Sequence, residues 1–175
     1  MQYDESFNNQ WICTTKLGVF KKNLITQEIS SFEFDKNNSY QNSQIKKILS
    51  DDLGNTWLFT TSGLWFKSNI DKYPKTVKVE NYQNFNNLLL DVEKDKNGNL
   101  WCSLYDVGIV VLNNQNNIIE HFVNEGANKS GLSSRFANKL IFDNSENLWL
   151  GHQETGVDVL STCLLYTSPS PRDIG

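Results

Sequence analysis

The sequence predicts an all-β protein, a partial β-propeller of four-stranded antiparallel blades, on three observations. The first is repetition: an acidic residue, a tight turn, a Trp six positions on, then a Gly and a short apolar run. The pattern is anchored on Glu5 and Trp11, Asp51 and Trp57, Asp95 and Trp101, and Asp143 and Trp149. The Gly follows its Trp by seven, six, seven and seven positions, at Gly18, Gly63, Gly108 and Gly156, and successive Trp residues lie 46, 44 and 48 apart. That period is the length of a four-stranded propeller blade. The second observation is that no window carries a 3.6-residue apolar period, so helices are not expected. The third is that short apolar and β-branched runs alternate with Asn, Asp and Gly turn signals, the pattern of successive hairpins.

Taken in order, residues 1–41 supply a partial blade with strands at 11–15, 18–21 and 28–34, and little before Glu5 to make an inner strand. Residues 42–85 form a full blade, with strands at 44–50, 56–61, 64–67 and 76–82 and turns at 53–55 and 71–74. Residues 86–133 form the clearest one. Its inner strand, 87–95, is stopped by Asn97, Gly98 and Asn99, residues that accept positive φ cheaply. Strands at 100–104, 109–112 and 118–123 follow, the last two separated by the Asn-rich turn at 113–117. The connector 122–135 is rich in turn formers and reads as a surface loop. Residues 134–160 give a partial blade with strands at 136–142, 148–152 and 157–160 and no outer strand. In 161–175 the repeat stops, and Pro169 and Pro171 argue against a central strand. The string CLLYTSPSPRD resembles translated adapter sequence, so this tail is expected to be non-native and disordered.

Composition bounds the function. A chain with 38% hydrophobic and 12% aromatic residues is not of disordered type. With 16 basic against 20 acidic residues and a net charge of −4, nothing favours a polyanion, and nucleic acid is not an expected partner. No apolar run of membrane-spanning length occurs, and Met1 is followed by polar residues rather than an apolar signal stretch. Cys13, Cys102 and Cys163 form no metal-like cluster. The first two follow their Trp by two and by one, so they point to opposite faces of equivalent strands, and both read as small buried apolar residues.

The repeated residues read as structural. A Trp at one place in every blade fills the gap between neighbouring sheets, the alternative being a stacking platform for sugars or bases. Trp65 lies outside that place and is the candidate for an exposed aromatic, with edge packing as the alternative. Each acid (Glu5, Asp51, Asp95, Asp143) is expected to accept hydrogen bonds from its turn's own N–H groups rather than ligate a metal. No hydrolase, phosphate-loop, dinucleotide or zinc-protease fingerprint is present, neither His121 nor His152 is assigned a catalytic role, and no cofactor is expected. A propeller sends its outer-to-inner loops and its second-to-third-strand loops out of one face. Ser43, Asn87 and Arg135 stand eight before their acids, and Lys16, Ser62, Asp106 and Glu154 five after their Trp, so these positions vary in chemistry around a shared rim. Asn87, Arg135, Asp106 and Glu154 are the candidate ligand contacts, against the plainer alternative of a solvated rim.

The units at 51–64, 95–112 and 143–160, with Gly-Leu-Ser-Ser at 131–134 leading into an inner strand, resemble the two-component regulator propeller repeat. Departures are Ser145, Glu146 and Asn147 in one turn, and Leu58-Phe59 and Cys102-Ser103 after two of the Trp residues. The resemblance implies a piece of a roughly seven-bladed sensor domain, extracytoplasmic, ahead of a membrane span and a histidine kinase or diguanylate cyclase, with glycan-derived ligands common. On it the chain senses a ligand and catalyses nothing by itself. A protein-interaction scaffold of WD40 type is the alternative, opposed by missing Gly-His and Trp-Asp signatures, and a propeller enzyme is a third. Two full and two partial blades do not close a ring of four to eight, so the remaining blades are an implied partner and the isolated chain is expected to self-associate through open edges.

Overall fold

The computed structural model describes residues 2–4, 9–14, 18–34, 44–51, 53–80, 82, 84–123 and 132–161. The expectations for 162–175, Glu5, Lys16 and Ser43 fall outside them, and Ser161, expected in the tail, closes the last strand instead. The chain divides into two compact units, Met1–Leu89 and Leu90–Gly175. The described strands all pair antiparallel, in four sheets, the blades of a partial β-propeller. The first sheet runs in the order β1 (Gln2–Asp4), β2 (Asn9–Thr14), β3 (Gly18–Asn23), β4 (Ile29–Ser31). The second is β5 (Ile45–Ser50), β6 (Thr56–Thr60), β7 (Gly63–Lys67), β8 (Lys75–Thr76), followed by a single helical turn, α1 (Phe85–Leu88). The third is β9 (Leu89–Lys94), β10 (Leu100–Leu104), β11 (Gly108–Leu112), β12 (Ile118–Phe122), and the fourth is β13 (Ala137–Phe142), β14 (Asn147–His152), β15 (Val157–Ser161).

Burial follows position in the blade. Every residue of β6, β10 and β11 is buried, which is why these strands read as apolar runs rather than as alternation. The outer β4 is exposed throughout and β12 nearly so. In the first unit Trp11 and Val19 pack against Ile48, Leu58 and Trp65, with Phe32, Phe34 and Ile45 at the margin. In the second, Trp101, Ile109 and Val111 meet Leu132, Ala137, Leu140, Leu148 and Leu150.

The turns explain the acids. In each of three hairpins one Asp carboxylate oxygen accepts the backbone N–H groups two and four residues on, and the other takes the side-chain amide of the Asn four on. These sets are Asp51 with Leu53 and Asn55, Asp95 with Asn97 and Asn99, and Asp143 with Ser145 and Asn147, all at 2.8–3.0 Å. The indoles of Trp101 and Trp149 add a bond to Asp95 and Asp143, at 3.0 and 2.9 Å. A fourth turn uses the same device without an acid: Asn113 Oδ1 accepts from Gln115 and Asn117 at 3.0 Å. The residue three after each anchor has positive φ, at Gly54, Gly98, Asn116 and Glu146.

Glu146 is the misfit, because a side chain in the left-handed region costs about 1–2 kcal/mol relative to glycine. Its carboxylate pairs with Lys96 in a solvent-accessible contact, worth about 0–1 kcal/mol. Glu146→Gly is therefore expected to raise stability by about 0.5–1 kcal/mol, read as a shift of the urea midpoint at unchanged slope.

The Trp149 indole, followed by Asn147 and Ser145, holds the Asp143 carboxyl down at about 2. A folded value below the unfolded one (about 3.9) gives stability that is fully present above pH ~4 and is lost as pH falls toward ~2. Asp143→Asn should flatten that part of the acid unfolding curve, measured by circular dichroism.

Five expectations are corrected. A short inner strand, β1, does precede Glu5, pairing Gln2 with Trp11. The outer strand expected at 76–82 stops at Thr76, although Val77 N–H still reaches Leu64 O at 2.9 Å. There Asn86 replaces the ladder: its Oδ1 accepts the Leu64 N–H at 2.9 Å, its amide donates to Val77 O at 3.0 Å, and α1 carries it. Trp65 is buried at 2% exposure, because β7 is a covered strand whose residue 65 joins the cluster of Trp11, Val19, Ile48 and Leu58. Cys13 is exposed next to the last pair of the β2–β3 ladder, Thr14 with Gly18, whereas Cys102, in mid-strand, is sealed, and burial pushes its thiol well up. Trp149 is 42% exposed: Ile141 and Val159 flank it in register and are exposed too, with no described sheet covering that face.

Candidate functional site

The second unit carries a cleft of about 340 Å³. Its walls are loop residues whose places follow from the hairpins. Tyr105 leaves the end of β10, where Val107 N–H returns to Leu104 O and Asp106 takes positive φ. Ser134 and Phe136 come from the segment leading into β13, with the Phe136 N–H bonded to Ser134 Oγ at 3.0 Å. Asn138 lies on β13, and Gln153, Glu154 and Thr155 form the β14–β15 turn. The Tyr105 and Phe136 rings stand 4.9 Å apart at 55°, an aromatic pair at one wall. Glu154 is the one carboxylate among the lining residues, and the rest offer hydroxyls, amides and ring faces.

Three of the four rim candidates gather here. Glu154 lines the cleft, and Arg135 Nη1 stands 3.8 Å from Asp106 Oδ1 beside it. Both partners of that pair are more than half exposed, so it contributes about 0–1 kcal/mol. Asn87 is in α1 of the first unit, its N–H bonded to Asn84 O, and is not among the lining residues. Of the lining residues the sequence missed, Tyr105, Ser134, Phe136, Gln153 and Thr155 are the immediate neighbours of flagged positions, and Asn138 stands three after Arg135. Counting located the loops, but which of two adjacent side chains turns inward is set by the local turn.

Behind this wall His152, with a side chain 0% exposed, places Nε2 2.9 Å from Asp158 Oδ2 and Nδ1 3.0 Å from Phe136 O. Asp158 also accepts the Ser133 N–H at 2.7 Å. Deeper in the unit, buried Asp91 accepts the Leu140 N–H at 3.1 Å and meets Lys139 Nζ at 3.3 Å. Among the described residues no group of three His, Cys, Asp or Glu could hold a metal ion. No described helix is long and apolar enough to cross a membrane.

No protein-family model matches the sequence, and no characterised protein matches it in sequence. Solved structures do match in fold. The extracellular domain assigned to the hybrid two-component system BT3049 of B. thetaiotaomicron superposes with TM-score 0.61 at 16% identity, over 92% of this chain and 22% of that one. The corresponding domain of BT4673 gives 0.62 at 19% identity, over 86% of this chain and 20% of that one. PorZ, a surface component of the type-IX secretion system of Porphyromonas gingivalis, gives 0.57 at 17% identity, over 84% and 22%. The chain thus shares its fold with extracellular domains of two-component systems and spans about a fifth of the structures it matches.

Proposed function

We propose that this chain is part of the extracytoplasmic, ligand-sensing propeller of a two-component receptor, and that its cleft takes a small neutral saccharide. PorZ has the same fold in another role, so the reading rests on the site rather than on the fold. The observation that carries it is the division of labour among residues. The repeated Trp and Asp are consumed by core and turns, while the non-repeated loop residues converge on one cleft. Sugars present apolar C–H faces and many hydroxyls, which suit an aromatic wall beside Ser, Asn, Gln and Thr side chains. The volume is near the low end of ligand pockets, fitting one or two sugar rings. A role in binding rather than hydrolysis follows from the single carboxylate, since glycoside cleavage ordinarily takes two. Signalling output would then belong to other domains of the receptor.

Calorimetric titration with neutral mono- and disaccharides tests this. Saturable binding is expected for at least one sugar, and Phe136→Ala or Asn138→Ala should weaken it about tenfold or more. No heat with any sugar, or unchanged affinity in both variants, would refute the assignment.

A further inference from the structure

His152 and Asp158 stand where the other blades place different chemistry. Three positions after the repeated Trp the earlier copies have Thr14, Thr60 and Leu104, and two after the repeated Gly they have Phe20, Trp65 and Val110. In the preceding blade Leu104 and Val110 are fully buried. The fourth blade therefore puts an ionisable pair into positions that its neighbour fills with apolar groups, a substitution that costs desolvation unless partners are supplied.

Partners are supplied on every side. Burial pushes the Asp158 carboxyl up, but bonds from Ser133 and His152 outweigh it and leave the group below its ordinary value, hence an acceptor. The Phe136 carbonyl is an acceptor too. An imidazole between two acceptors satisfies both only when both ring nitrogens carry protons, because the neutral ring has a single donor. The bonds join the two walls of the cleft: Phe136 lines one, and Ser133, held by Asp158, has its Oγ 3.2 Å from Thr155 Oγ1 on the other. The other charged groups on the adjoining elements are engaged or outward: Arg135 with Asp106, Lys139 with Asp91, and Glu154 exposed in the turn.

We infer that His152 is a positioning residue for the cleft, its doubly protonated ring clamping the Phe136 wall to the β14–β15 wall. Two bonds need two ring protons, so loss of either proton opens one side of the clamp. This rests on the cleft being the ligand site, and it gives that site a proton-linked control.

The test is amide hydrogen exchange of the whole chain by NMR from pH ~5.5 to ~8.5, corrected for intrinsic rates, with imidazole nitrogen shifts recorded in parallel. Exchange of the Ser133 and Phe136 amides is expected to rise about tenfold relative to the Val111 amide as the ring loses a proton. His152→Gln, uncharged, should abolish the step while leaving Val111 protected. If that variant does not fold, Asp158→Asn should abolish it equally. A wild-type profile without a step, or the same step in a folded variant, overturns the clamp. Exchange needs no ligand, so a step without uptake of any sugar supports the clamp and refutes the saccharide reading alone.

Discussion

Trp101→Ala is expected to cost about 3–5 kcal/mol of folding stability, the range for truncating a fully buried Trp. The ring is 1% exposed, stacks on Phe122 at 5.5 Å and meets Phe142 edge-on at 5.9 Å. Its Nε1–H satisfies Asp95, which is itself 8% exposed, so the truncation also takes a donor from a buried carboxylate. Trp149→Ala removes the same residue from the same place in the repeat, but from a ring that is 42% exposed. It should cost about 1 kcal/mol, most of it from the lost bond to Asp143. Urea denaturation of the two variants separates the readings of the repeated Trp. A large difference follows from a core filler, whereas small and equal losses would mean that these rings are not structural.

Gly108→Ala should cost about 3 kcal/mol or more, since a backbone clash adds to strained φ. At φ +107 an added Cβ would lie 2.1 Å from the Phe122 carbonyl oxygen, a backbone atom of the neighbouring strand that cannot rotate away. Gly156 occupies the same place in the next blade at φ +91, with nothing within 4 Å of where a Cβ would stand. Gly156→Ala should therefore show the backbone term alone, about 1–2 kcal/mol. The same denaturation experiment decides this, and equal losses at the two glycines would remove the argument from the outer strand.

The blades were legible because three constraints coincide in the copies that begin at Asp51 and Asp95: an acceptor to close the turn, a large ring to fill the space between sheets, and a glycine where φ must be positive. Asn113 shows where that reading was too narrow, since its side-chain oxygen closes the same turn and an acid was never required. The α1 turn was invisible because four residues carry no period, and its purpose, presenting Asn86 to Leu64 and Val77, depends on a contact across sequence. Trp149 was misjudged since the burial of a blade face depends on a second sheet, which no local pattern encodes. The site was half legible. Counting found the loops holding Asp106, Arg135 and Glu154, but the aromatic pair of Tyr105 and Phe136 arises from two loops meeting in space. His152 and Asp158 could have been noticed as departures from the repeat, yet only geometry shows them bonded to each other.

The central claim is that repeated residues build the scaffold while the non-repeated loops recognise a ligand. An amide-resolved NMR titration with the best-binding saccharide tests it most directly. The expected shifts lie in residues 104–107, 132–138 and 152–156, with the turns at 51–55, 95–99 and 143–147 unmoved. Shifts centred on those Asp and Trp turns, with the cleft silent, would contradict it.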